Sequence, residues 1–437
     1  MIGEEVFKNP LSGSSGSSPS SGAPSQPSVH DHVTSDFYSR DVNPDDQRHH
    51  RTEEINIDLD SEGAIMVDIS DALSERDKVR YTVHSRTKMS DMKPETSVVR
   101  EHEEFLWLHT VLEENENYAG FIIPPAPPRP DFDSSRERLQ KLGEGEATMT
   151  KEEFLKMKHD LEQDYLAQFK KTVAMHEVFL QRIAAHSIFR DDQNFRIFLQ
   201  YEDDLSVRGK NKKEVVGSFW KRVTQSADEV LLSGQKDIDE FFEKEKNYLI
   251  EYSTHIKEAA ARSEKMIAVR KNVSELFVKM GDCLERMARS EPDKSLARTL
   301  GRGADTMFFL KKVEARSAND EELKMCDTLI YFSKDTQAAK DLLYRRIRCL
   351  ANYEAANKNL ERARAKNKEI QKAETEQVEA CKKFEDISAL AKNELKDLKK
   401  RRVQAFKKNL GDLAELEVKH ANAQVNLLQE FIAKLKE

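Results

Sequence analysis

The chain has 437 residues, enough for two or three domains at about 150 residues each. Charged residues make up 34 % of it and the apolar set 38 %, with only 15 glycines, about half the usual share, a balance that favours long helices with few turns. A formal net charge of −8 excludes a surface devoted wholly to DNA or RNA, although a local basic face can sit inside an acidic total.

No stretch approaches the ~20 apolar residues of a membrane span, and the N-terminus lacks the apolar run of a signal peptide, so a soluble, intracellular chain is expected. Cys283, Cys326, Cys349 and Cys381 are too far apart for CxxC-type metal spacing and read as reduced thiols. There is no GxGxxG or GxxxxGK[ST] phosphate loop, no HExxH and no GxSxG. Catalysis therefore has no supporting constellation, and neither a cofactor nor a metal is expected. The pair His49 and His50 reads as two solvated imidazoles.

In chain order, residues 1–60 carry at 11–30 a run of Ser, Gly and Pro that cannot bury enough apolar area to offset the entropy of ordering, so they read as a disordered tail. Apolar and polar residues then alternate from Ala64 to Asp71 and from Val79 to Val83, with a third candidate strand from Thr96 to Arg100. Phe105, Leu106, Leu108, Val111 and Leu112 follow at helical spacing behind a glutamate run suited to a helix N-terminus. Pro124, Pro125, Pro127, Pro128 and Pro130 forbid helix and ladder pairing and imply a stiff extended loop. Helical sequence resumes beyond Ser134, breaks at Gly143 and Gly145, runs from Glu152 to Lys171, and recurs near His176 to Ala185 and Asn194 to Tyr201. The first folded unit is thus α+β.

From Lys212 onward a single proline, Pro292, and little alternation imply an all-α region. Breaks are expected near Ser290 to Pro292, at Gly301 and Gly303, and near Ala315 to Asp320. Leu395, Leu398, Val403, Phe406, Leu410, Leu413 and Leu416 recur mostly every three or four residues, a coiled-coil-like seam. Rods of this length cannot bury their stripes alone, so they bundle and still leave apolar surface for a partner.

Four features bear on function. The segment REHEEFLWLH at 100–109, then PPAPP, then HEVFLQRIAAH and FRIFLQY resemble the phox-homology (PX) family over about residues 65–205. In lipid-binding members the second arginine of an Arg-Arg-aromatic motif grips a phosphate bidentately. Here Arg100 is followed by Glu101 at that position, by His102 at the aromatic one, and the later pocket arginine aligns with Thr172; Arg129 is the basic group retained. A carboxylate facing a dianionic phosphate is repulsive, so the phosphoinositide pocket is expected to be degenerate.

The second feature is an insertion at 132–171 that reads as a helical hairpin. Its second arm carries Tyr165, Phe169 and Val173 at four-residue steps, with Leu166 adjacent, a stripe that periodicity alone assigns equally well to core packing. The insertion resembles that of the sorting nexin five, six and thirty-two subgroup. That resemblance implies a groove for extended cargo tails carrying a hydrophobic-x-aromatic-x-hydrophobic motif, bound as an added strand, with Tyr165, Leu166, Phe169 and Val173 lining it and Glu177 making a polar contact.

The third feature is KKEVVGSFWKRV at 212–223, in a linker taken as 206–227. Val215, Val216, Phe219, Trp220 and Val223 share one helical face flanked by lysine and arginine, which suits either insertion at a lipid headgroup boundary or packing on the following bundle. The fourth is charge: ten basic against four acidic residues from Lys340 to Lys372, and eight against two from Lys392 to Lys408. Such runs are ordinarily solvated faces. Residues 228–437 resemble a Bin/amphiphysin/Rvs (BAR) domain, a long three-helix coiled-coil bundle whose dimers rest a basic surface on curved bilayers. The resemblance implies that Arg362, Arg364, Lys366, Lys368, Lys399, Lys400, Arg401 and Arg402 meet anionic lipid.

Taken together, the resemblance implies a non-enzymatic adaptor, peripheral on early endosomes and their tubules, supporting endosome-to-Golgi or recycling transport. It implies a heterodimer with a sorting nexin one or two type partner, cargo such as the cation-independent mannose 6-phosphate receptor, and a link to dynactin. A coiled-coil protein binding nucleic acid through the same basic faces is the rival, without a stacking platform or recognition motif to support it.

Overall fold

The computed structural model describes residues 63–75, 78–129, 150–205 and 239–436, with a few isolated positions between them, and for part of 151–168 the backbone alone. The tail at 1–54, most of the first hairpin arm and nearly all of the linker, with Val215, Val216, Phe219, Trp220 and Val223, lie outside the described residues.

Three strands form an antiparallel meander in the order β1 (Ile65–Glu75), β2 (Lys78–Thr87), β3 (Glu95–Glu101). Alternation drives the pairing: Thr96, Val98 and Arg100 of β3 point inward while Glu95, Ser97 and Val99 face out. Val98 sits opposite Val83, which sits opposite Ile69, so the inner faces of all three strands coincide in one row. The strands run further than the alternation marked, because pairing continues through a register shift at Ile69/Asp71 to Glu75 opposite Lys78.

Helix α1 (His102–Glu114) begins where β3 ends, capped by Glu101, and Glu104 Oε2 accepts from the Glu101 backbone N–H at 2.6 Å. Helix α2 spans Lys151–Ala185 without interruption, so the separate segments expected before and after Lys171 are one rod. Helix α3 (Gln193–Gln200) is capped by Asp192, whose carboxylate accepts from the N–H groups of Asn194 and Phe195. Tyr81, Phe105, Leu108, Leu180, Ile183, Phe195 and Phe198 close a single core between sheet and helices.

The second unit is three long rods: α4 (Glu240–Ser290), α5 (Lys294–Glu321) continuing through a π-helical turn at Glu322–Cys326 into α6 (Asp327–Lys366), and α7 (Ile370–Lys436). The break at Ser290 to Pro292 is where it was expected. The breaks expected at Gly301, Gly303 and Ala315 to Asp320 are absent. A helix interior tolerates glycine at about 1 kcal/mol, and the irregularity near 320 is an inserted π turn that keeps the rod continuous. The turn between α6 and α7 instead falls at Asn367, whose φ of 50° is left-handed.

The buried stripe of α4 includes small residues, among them Ser253, Ala260, Ser263, Ser274 and Gly281. A Cβ on Gly281 would stand 2.7 Å from the Phe308 ring. On α7 the inner stripe is Leu395, Leu398, Arg402, Ala405 and Asn409, which corrects the expected seam. Val403 and Leu410 are 51 % and 47 % exposed, one residue out of phase with it.

The two units share packing. Ile122 enters the bundle core beside Phe242, Leu342 and Leu395, and Val178 joins Ile256, Tyr331, Phe332 and Ala405. The Arg345 guanidinium donates to the carbonyls of Ala119 and Phe121 at 2.9 and 2.8 Å, and Glu394 accepts from the Ile122 N–H at 3.1 Å.

Candidate functional site: a groove beside the first strand and two surfaces of the bundle

Arg100, Glu101, His102 and Thr172, expected to form a degenerate phosphoinositide pocket, all make contacts within the protein. Arg100 is fully buried and its guanidinium donates to the carbonyls of Phe198, Val99, Asp203 and Tyr201, tying β3 to the end of α3. Glu101 caps α1 and lies 3.5 Å from Arg80. His102 Nδ1 meets His176 Nε2 at 2.9 Å, His176 Nδ1 bonds the Thr172 carbonyl at 2.8 Å, and His176 stacks on Tyr81.

Burial pushes the His176 imidazole down to about 3 and lowers His102, which Arg129 and Lys334 lower further. Thr172 is buried and Arg129 exposed. The arrangement ties Arg100, Glu101, His102 and Thr172 to neighbouring groups of the protein.

Strand β1 pairs with β2 on one side, and among the described strands none covers its other edge. Helix α2 runs along that side. Gln181 Nε2 donates to the Val67 carbonyl at 3.1 Å and to Glu177 at 2.6 Å, so Gln181 is a buried strut between helix and strand and Glu177, one turn earlier on α2, braces it. One and two turns nearer the N-terminus, Val173 and Phe169 are half-buried against the same core. The side chains of Tyr165 and Leu166 lie outside the described residues. A strand edge paired with no described strand, beside a half-buried apolar stripe, is the kind of geometry that accepts an extended peptide.

The basic residues divide by environment. Arg362, Arg364, Lys366 and Lys368 cluster, exposed, at the turn between α6 and α7. Lys400 is exposed beside Asp397, and Lys399 pairs with Glu245. Arg401 lies 3.4 Å from buried Asp335. Arg402 is buried, its guanidinium 4.1 Å from the Tyr252 ring centre, and so belongs to the bundle core, contrary to its expected place on the outer basic face.

An apolar face remains uncovered on the bundle. Met266, Val269, Val273, Leu276, Met280 and Met287 on α4 are each at least 38 % exposed, spaced three, four or seven residues apart. Val418, Val425, Leu428, Ile432 and Leu435 on α7 are exposed as well. This is the pattern of a coiled-coil surface without its partner.

The residues joining the units went unread in the sequence. Lys171, Met175, Val178 and Arg182 recur at i, i+4, i+7 and i+11, about 200° round α2 from Phe169 and Val173, and that second stripe was their signal. They meet Asp327, Tyr331 and Asp335, spaced i, i+4, i+8 on α6.

Residues 88–202 match a family model described as PX domain, and residues 215–434 one described as Vps5 C terminal like. Sorting nexin-6 of Homo sapiens is 55 % identical over 382 residues, covering 87 % of this chain and 94 % of the relative. Sorting nexin-32 of Homo sapiens is 51 % identical over 385 residues, covering 87 % and 95 %. Sorting nexin-2 of Homo sapiens is 23 % identical over 377 residues, covering 82 % and 68 %.

Proposed function

From the premise that the chain belongs to the sorting nexin family, a PX domain followed by a BAR-type bundle and hence a membrane-trafficking adaptor, we propose that its PX unit has exchanged lipid recognition for peptide recognition. The cargo dock is the edge of β1 beside α2. Tyr165, Leu166, Phe169 and Val173 take the apolar side chains of an extended hydrophobic-x-aromatic-x-hydrophobic tail, and Glu177 supplies a polar contact. The observation that carries this reading is the half-buried Phe169 and Val173 stripe beside a strand edge that no described strand occupies.

The bundle (228–437) dimerises through the exposed α4 and α7 faces with a sorting nexin one or two type partner. Cations at the α6–α7 turn and on α7, with the amphipathic segment of the 206–227 linker, hold the dimer on anionic endosomal membrane. Many weak contacts on one dimer add through effective concentration. Transmembrane cargo of the cation-independent mannose 6-phosphate receptor kind, a dynactin link and retrograde or recycling transport complete the proposal, with no catalytic step.

Nucleic acid is not favoured as the ligand of the basic faces, because the chain belongs to a family of PX and BAR-type units. The test is a flotation assay with the full chain, its sorting nexin two type partner, and anionic liposomes displaying the peptide motif. Peptide-dependent recruitment is expected, and recruitment indifferent to the peptide overturns the dock.

A further inference from the structure

Helix α2 is shared by both units. One face, through Phe169, Val173, His176 and Leu180, belongs to the PX core and the proposed dock, while the opposite face, through Lys171, Val178 and Arg182, is buried against α6. Lys171 Nζ lies 2.8 Å from Asp327 and 3.0 Å from Glu322, and Arg182 lies 2.8 Å from Asp335 and donates to the Tyr331 hydroxyl at 3.1 Å. Because 171 pairs with 327 and 182 with 335, the two helices run side by side in the same direction here. Lys171 falls between Phe169 and Val173 in sequence, so the turn that lines the dock is the turn pinned from behind.

The pinning groups are costly to bury without each other. The Asp327 and Asp335 side chains are 3 % and 0 % exposed. Burial raises Asp327 to about 6 even against the pull of Lys171. Burial would likewise raise Asp335, but Arg182 and Arg401 more than reverse it. Lys171 responds in kind: burial would lower it, and Asp327 with Glu322 raises it instead. With α2 in place, losing the cation of either pair would leave a desolvated carboxylate short of its partner, which is strongly unfavourable. The π turn at Glu322–Cys326, next to Lys171, is the local irregularity that sets Glu322 and Asp327 on the side facing α2.

We propose that Asp327 and Asp335 of the bundle are positioning residues of the peptide dock: through Lys171 and Arg182 they fix the α2 turn that carries Phe169 and Val173. The proposal rests on the dock assigned above and extends it to residues of the other unit that touch no peptide. Reciprocity follows from linkage, since a bundle contact that favours the peptide-ready helix must itself be strengthened by the peptide.

The test uses the full chain and a synthetic peptide of the hydrophobic-x-aromatic-x-hydrophobic pattern. By calorimetry, Asp327→Asn and Lys171→Met are expected to weaken peptide binding about fivefold or more, while Lys171→Arg, which keeps the charge, stays within about twofold of wild type. On the wild-type chain, where no variant has to fold, saturating peptide is expected to slow amide exchange across 327–335 of α6. Peptide binding that is equal in all variants, or that leaves exchange in α6 unchanged, overturns the positioning role and spares the dock. Failure of the wild-type chain to bind the peptide overturns both.

Discussion

His102 Nδ1 and His176 Nε2 lie 2.9 Å apart, two buried imidazoles joining the first turn of α1 to α2. Burial holds both below the ordinary imidazole range, His176 down to about 3. The folded state therefore binds fewer protons than the unfolded one below about pH 6.5, so the stability these rings confer is complete above that pH and is lost as pH falls toward 3. His176 alone is expected to cost the α+β unit about 2 kcal/mol between pH 7 and pH 5. Urea unfolding of wild type and His176→Gln at both pH values checks this. The variant should lose less on acidification, and because Asp327 titrates with the opposite sign in both proteins, its contribution cancels in the comparison.

Restoring an arginine does not restore a lipid pocket. Glu101 caps α1, so Glu101→Arg is expected to remove about 1 kcal/mol of helix stabilisation. The expected result is a lower melting temperature and no gain of phosphatidylinositol 3-phosphate binding in liposome sedimentation.

Dimerisation is expected to depend on residues that contribute little to the monomer. Val269 and Leu276 are 61 % and 58 % exposed on α4. Val269→Glu with Leu276→Glu should abolish association with a sorting nexin two type partner in sedimentation velocity while circular dichroism of the single chain stays unchanged. Burying two charges in a helix seam outweighs the lost apolar contact alone.

Membrane attachment should separate from bundle stability. Lys366→Glu with Lys368→Glu, at the exposed α6–α7 turn, is expected to weaken binding to anionic liposomes by at least about 1 kcal/mol per cation, roughly fivefold each. Arg402→Met should instead lower the melting temperature and leave liposome affinity near that of wild type, because its guanidinium sits against Tyr252 inside the bundle.

What was legible in the sequence tracks which residues bear a periodic signal of their own. Alternation around Val83 and Val98 located the sheet, and the proline run located the extended segment that delivers Ile122 to the bundle. On α7 periodicity gave the right repeat and placed Leu395, Leu398 and Phe406 on the packed side. Further along, inner positions are held by Arg402, Ala405 and Asn409, while Val403 and Leu410 are left outside. The turn at Asn367 lacked the glycine that announces a left-handed residue, and Gly301 and Gly303 announced turns that packing overrides. In the candidate site, Phe169 and Val173 were visible as a stripe. Their support from Asp327 and Asp335 was not, because it joins positions more than 150 residues apart whose meeting only the tertiary fold creates.

The central claim is that the front unit binds an extended peptide through the Phe169 face of α2. Titration calorimetry of the full chain with a hydrophobic-x-aromatic-x-hydrophobic peptide measures it directly, set beside Phe169→Asp with circular dichroism matched to wild type. The account predicts saturable binding by wild type and none by the variant; equal affinity for both, or no binding by wild type, would contradict it.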